Sequence, residues 1–201
     1  MAEAGKPSRR QQILEALAKE LEERPGARIT TAALARSVGV SEAALYRHFP
    51  SKARMFEALF EFAEDSVFGL LNRIQADHGD LATKLEQAVT VVLKFAELNP
   101  GITRCLLGEA LLGEHERLRV RADQFFDRFE TQLRQMLRDA GLSGANRPTY
   151  SANCVASILS AVCEGRMARY SRSDFRRRPT EEWDTEWEAL RQLLESRTAS
   201  G

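Results

Sequence analysis

Two hydroxyl residues, Thr30 and Ser41, each stand just before a short apolar run, and one glycine, Gly39, separates the runs. Threonine or serine before a helical run accepts hydrogen bonds from the free N–H groups of the first turn, so each marks a helix start. Gly39 permits the backbone conformation a sharp turn needs, and so closes the first of the two helices. Thr30 or Thr31 caps a short helix carrying Leu34, Ala35 and Val38. Ser41 opens another with Glu42 in its first turn, ending at Phe49-Pro50. Two helices so short and so close in sequence must cross over one small core. Ala33, Leu34, Val38, Val40, Leu45 and Phe49 can supply it, and Ala35 and Ala44 are small enough for a close crossing. Ser41, Glu42, Ala43, Tyr46, Arg47 and His48 are left for the other side. One anchored face and one short or polar face is how a helix that enters a DNA major groove must be built.

The remaining chain keeps the helical period. Ile13, Leu14, Leu17, Ala18 and Leu21 recur at helical spacing until Pro25-Gly26. Ser51 caps a long fourth helix reaching residue 76. A fifth covers 80–98 and stops before Asn99-Pro100, and others cover 102–112, 116–139, 150–171 and 181–195. A Gly/Pro/Asn-rich break spans 141–148, and the tail 198–201 is expected to fray. No run alternates with period two over a strand's length, so the fold class is all-α: a helix-turn-helix domain over 8–54 and a larger helical body over 55–197.

Charge supports a polyanion partner. The chain is neutral overall, yet residues 1–54 carry ten Lys/Arg against six Asp/Glu, a net +4, and the remainder carries −4. Within the helix-turn-helix, Thr30 and Thr31 can hold a phosphate at the helix start. Lys52 can pair with phosphate, and Tyr46 can offer its hydroxyl to phosphate while its ring packs on sugar. Arg47 can reach phosphate or a guanine edge. Ala43 and Ala44 can accept thymine methyl groups, with Ser41 and His48 completing the DNA face. The polar base-reading set is thin, which points to a second half-site and hence a dimer.

In the body, Phe56, Leu59, Phe60, Ala63, Val67, Leu70, Leu71 and Ile74 form one face of the fourth helix, and Leu81, Leu85, Ala88, Val92 and Phe95 a stripe on the fifth. Phe62 lies off the first face. Val91, Lys94 and Leu98 lie beside the second, near Asn99. These five residues are a candidate partner-binding surface, the alternative being further buried packing. Val155, Ile158, Leu159, Val162 and Trp187, on the eighth and last helices, are candidates for a two-fold dimer interface.

Other classes lack support. His48, His78 and His115 are scattered, no phosphate-binding glycine loop occurs, and Cys105, Cys154 and Cys163 have no ligand-like spacing. No catalytic residue, metal site or cofactor is therefore expected. The cysteines read as buried thiols in a reducing cytosol. No apolar stretch approaches the ~20 residues of a membrane span, and the first residues lack a secretory core.

The run Ala44-Leu45-Tyr46-Arg47-His48-Phe49-Pro50-Ser51-Lys52 resembles the hallmark of the TetR family, whose N-terminal three-helix unit binds DNA. The likeness narrows to the nucleoid occlusion branch of that family over Ile29–Ser66, Asn99–Arg104, Cys163-Glu164-Gly165 and the segment through Arg178-Pro179-Thr180. Leu70 and Leu98 depart from it, standing where that branch is expected to carry arginine. The resemblance implies a TetR-like homodimer on palindromic double-stranded DNA, in the cytoplasm at the nucleoid. Bound to DNA, it would inhibit assembly of the tubulin-like division protein FtsZ. The alternative is a ligand-responsive repressor of the same family, and a third reading is a nucleoid protein with loose sequence preference.

Overall fold

The computed structural model describes residues 7–24, 26–142 and 150–194. Among them the chain is helical, without strands: α1 (Arg9–Glu23), α2 (Thr31–Val38), α3 (Glu42–His48), α4 (Lys52–Ala76), α5 (Leu81–Leu98), α6 (Pro100–Leu106), a 3-10 turn (Glu109–Leu111), α7 (Glu116–Leu142), α8 (Ala152–Arg172) and α9 (Trp183–Leu194). The all-α expectation holds. No described helix is long and apolar enough to cross a membrane.

The expected helix starts are built by the expected side chains. Ser8, Thr30, Ser41 and Ser151 each accept from a backbone N–H of the first turn of α1, α2, α3 and α8. Ser51 accepts from the Arg54 N–H at 3.2 Å at the start of α4, and Asp80 caps α5 through the Thr83 N–H at 3.0 Å. A hydrogen bond from the Thr83 hydroxyl, together with that backbone bond, holds the Asp80 carboxyl below its usual pKa. Several boundaries differ from the sequence reading: α6 begins at Pro100 rather than 102, and α7 runs to Leu142, past 139 and into the expected break. The sixth helix does not reach residue 112, because Gly108 takes φ +75° and breaks it into α6 and the 3-10 turn. The last helix starts at Trp183 rather than 181, behind Glu182 with φ +55°. The eighth starts at Ala152 behind its Ser151 cap. Residues 143–148 of the expected break, and the tail, lie outside the described residues.

The chain divides into two compact units. The first comprises the described residues up to Ala63 together with Asn99–Ala122. Its core gathers Ile13, Leu17, Leu34, Leu45, Phe49, Phe56, Ile102 and Leu118, all nearly inaccessible. Here α6 lies on α1 so closely that a Cβ on Gly101 would stand 1.9 Å from the Ala18 carbonyl oxygen. Only glycine permits that approach.

The second unit comprises Glu64–Leu98 and the described residues from Asp123 onward. Phe68 and Phe125 pack with ring centroids 5.3 Å apart. Trp183 and Trp187 are buried, and the Trp183 indole N–H donates to Thr90 Oγ1 at 2.9 Å. Arg166, 4% exposed, ties the turn before α9 to α8. It donates to the Pro179 carbonyl at 2.6 Å and to the Glu181 carbonyl, and it pairs with Glu186. A buried guanidinium is stable only with such multiple acceptors.

Some expected core positions are corrected. Leu70 is 41% exposed and Ile74 half-buried, since the apolar face of the long α4 drifts from the covered side, and Leu81, the first residue of α5, is half-buried. Cys105 and Cys163 are buried, and burial pushes both thiols far above the usual cysteine range, whereas Cys154 is exposed on the first turn of α8.

The contact at Gly101 generates a stability test. Gly101→Ala should destabilise the protein by about 3 kcal/mol or more, because a backbone carbonyl cannot swing aside as a side chain can. Gly69→Ala, inside α4 with nothing within 4 Å of the new methyl, should stabilise by about 0.5–1 kcal/mol. Urea denaturation followed by circular dichroism measures both, and equal small effects would mean that the α1–α6 approach is looser than described.

Candidate nucleic-acid interface

Helices α1, α2 and α3 all belong to the first unit. Thr30 Oγ1 accepts from the Ala33 N–H at 3.2 Å and Ser41 Oγ from the Ala44 N–H at 3.1 Å, so both helices begin where the sequence says. Between them Gly39 sits in the left-handed region, φ +71°. Its N–H bonds the Arg36 carbonyl at 3.1 Å, and the Val40 N–H the Ala35 carbonyl at 2.9 Å. Leu34, Ala35, Leu45 and Phe49 are buried beneath the crossing, while Ala33, Val38 and Val40 are only half-buried. Two arginines of α1 tie it to the pair. Arg9 donates to the Val38 carbonyl and Arg10 to the His48 carbonyl, each at 3.3 Å, and the Arg10 guanidinium lies 4.3 Å from the Phe49 ring centroid.

The outward residues are those expected. Thr30, Ser41, Ala43, Tyr46, Arg47 and His48 are exposed, and Thr31 and Ala44 half-buried. Arg47 makes no ion pair among the described residues, which leaves its guanidinium available to an incoming anion. Three of the expected phosphate ligands, Lys52, Thr31 and Tyr46, already have partners within the chain. Lys52 pairs with Glu114, and both side chains are largely shielded, at 20% and 14% exposure. The Thr31 hydroxyl donates to Glu42 Oε2 at 2.7 Å and accepts from the Tyr46 hydroxyl at 3.4 Å. Sequence reasoning put Glu42 on the outer face without assigning it a role. The spacing of Thr31, Glu42 and Tyr46 gives no sign of the link, because it crosses from α2 to α3.

The other candidate residues are placed separately. In the first unit Phe62 is 49% exposed on α4, and Asn99 is half-buried at the start of α6. On α5 in the second unit, Leu98 is 79% exposed, Lys94 is exposed and Val91 is half-buried. On α8, Ile158 is 40% exposed and Val162 half-buried, whereas Val155, Leu159 and Trp187 are already buried within the chain itself. No group of histidine, cysteine and carboxylate side chains among the described residues could hold a metal.

Residues 13–59 match the model of bacterial regulatory proteins of the tetR family, and residues 79–195 match that of the tetracyclin repressor-like C-terminal domain, SlmA-like type. The class is thus a TetR-type helix-turn-helix protein. The TetR family transcriptional regulator PfmR from Thermus thermophilus shares the fold, with a TM-score of 0.75 over 92% of this chain and 99% of that one, at 22% identity. The nucleoid occlusion factor SlmA of Marinomonas sp. (strain MWYL1) is 54% identical over 189 residues, covering 94% of this chain and 96% of that protein. SlmA of Shewanella amazonensis is 52% identical over 98% of this chain and its own entire length. The chain belongs to the SlmA family.

The geometry of the turn gives a direct test. Thr30→Ala and Ser41→Ala should each cost about 1 kcal/mol of stability by orphaning a first-turn N–H. Gly39→Ala should cost about as much again by forcing a side chain into positive φ. Denaturant unfolding of the three variants checks this, and midpoints unchanged from the parent would contradict the capping geometry.

Proposed function

We propose that this protein is a nucleoid occlusion factor: a homodimer that binds palindromic double-stranded DNA through α3 and, when DNA-bound, blocks assembly of FtsZ over unsegregated chromosome. One observation carries the reading. A relative named for nucleoid occlusion is 54% identical across 94% of the chain, so the likeness includes the body as well as the DNA-reading head. The head supplies what DNA binding needs: an anchored α3, an outer face of Ser41, Ala43, Tyr46, Arg47 and His48, and the hydroxyl of Thr30 at the start of α2 for a backbone phosphate. Ala44 lies close enough to the surface for thymine methyl contact. Lys52 serves phosphate only by leaving Glu114. Nucleoid association at a cytoplasmic chromosome follows from this activity, and no chemistry of an enzyme is required by it.

FtsZ binding is assigned to Phe62 on α4 and to Val91, Lys94, Leu98 and Asn99. On α5 the exposed Leu98 can anchor a short apolar segment, and Lys94 favours acidic residues flanking it, worth at most ~1 kcal/mol for an exposed pair; the exposed Phe62 of the first unit offers an apolar contact of its own. Weak contacts of this kind add by avidity when several dimers sit close together on DNA. For dimerisation, the outward part of α8, Ile158 and Val162, is what remains to meet a second copy, with Val155, Leu159 and Trp187 packed behind it.

Sedimentation of FtsZ polymers, with the protein added in the presence of its selected DNA site, tests the function. The parent should reduce pelleted polymer. Phe62→Asp and Lys94→Glu should keep DNA binding and lose that effect, and variants as active as the parent would remove these residues from the partner surface. A DNA-bound parent without effect on FtsZ would instead favour a ligand-responsive repressor.

The dimer is checked by sedimentation equilibrium at low micromolar concentration. The parent should have about twice the 22.6 kDa chain mass, and Ile158→Asp should run as a monomer or unfold, since an unpaired charge is costly to bury. A monomeric parent would overturn the assembly.

A further inference from the structure

With α3 read as the helix that enters the major groove, the hydrogen bonds joining α2 to α3 decide what that helix presents to the bases. Glu42 opens α3 and is exposed. Its Oε2 accepts from the Thr31 hydroxyl at 2.7 Å, and Thr31 Oγ1 accepts in turn from the Tyr46 hydroxyl at 3.4 Å. Both protons therefore run toward the carboxylate. Neither hydroxyl keeps its proton for a phosphate while the chain is intact. What the cluster retains for an incoming ligand is an acceptor, the second carboxylate oxygen. Glu42 makes no ion pair among the described residues, so none of them neutralises its charge.

A carboxylate on a face that meets a polyanion is repelled unless it finds a donor. Residues in the first turn of such a helix contact base edges. In the major groove the donors are the exocyclic amino groups of cytosine and adenine. Adenine sets its N7 acceptor beside that amino group, which repels a carboxylate. Cytosine presents N4 with no acceptor on the same base edge. We propose that Glu42 is a specificity-determining residue that accepts a hydrogen bond from the N4 amino group of one cytosine in each half-site. Thr31 is a positioning residue that fixes the carboxylate. This inference rests on the DNA-binding reading above and adds to it the residue and the base.

The test is selection of the full-length protein against a randomised double-stranded DNA library. Titration of the enriched site with each base substituted at each position follows. The parent should fix one cytosine per half-site, favoured by about tenfold over other bases. In Glu42→Ala that position should fall to within about twofold of indifference while the other positions keep their order. Glu42→Gln keeps an acceptor for Thr31 and adds a donor, and should move the preference toward adenine, whose N6 and N7 match an amide. Thr31→Val should weaken the cytosine preference more than it weakens overall affinity. An unchanged profile in Glu42→Ala, or an equal loss at all positions in a variant with parental circular dichroism, would overturn the assignment alone. A parent that enriches no sequence would overturn the reading of α3, and the assignment with it.

Discussion

The DNA-reading half of this molecule depends on a backbone contact that leaves no room for a side chain. Helix α6 meets α1 at Gly101, where the place of a Cβ lies 1.9 Å from the Ala18 carbonyl oxygen. The same α1 reaches the end of α2 through Arg9 and the end of α3 through Arg10. Helix α1 is thus the frame on which the two short helices are aligned. Helices of seven or eight residues are far below the length at which a helix is stable alone, so their geometry must come from such packing and from their caps.

Within that frame, polar side chains do different work according to what they face. Thr30 and Ser41 satisfy first-turn N–H groups and so define where α2 and α3 begin. Thr31, Glu42 and Tyr46 form a chain of hydrogen bonds across the crossing and leave an acceptor at the surface. Lys52 and Glu114 neutralise one another where both are largely shielded from water. A threonine, a tyrosine and a lysine that look alike as phosphate ligands in the sequence are therefore not equivalent. Thr30 has its proton free to give, while Thr31 and Lys52 must first release a partner.

The second unit is organised around a buried cation. Arg166 collects two carbonyls and a carboxylate where the chain turns from α8 into α9, and its guanidinium carbon lies 5.4 Å from the Trp183 ring centroid. Thr90 receives the Trp183 indole N–H, and the Tyr170 hydroxyl donates to the Glu97 carbonyl at 3.2 Å, so α5, α8 and α9 are held by directional bonds as well as apolar packing. This uses Trp187 and Leu159 inside the chain, which confines the outward part of α8 to residues such as Ile158.

The sequence alone determined the helical class, most helix starts and the turn at Gly39, because caps, glycine turns and helical periodicity are local and act within a few residues. It also carried the family motif from Ala44 to Lys52. Only the tertiary structure decided which apolar side chains are covered and which polar ones are already engaged. Leu70 and Cys154 fit an apolar pattern yet face outward, and Trp187 fits an interface yet is buried within the chain. Gly108 gave no periodic signal for ending α6, since its effect lies in a positive φ that spacing cannot reveal. Lys52 and Glu114 are 62 residues apart, and Thr31 and Glu42 lie on different helices. Such pairings depend on which surfaces the packing brings within hydrogen-bond reach, and this is a property of the folded chain that no local pattern encodes.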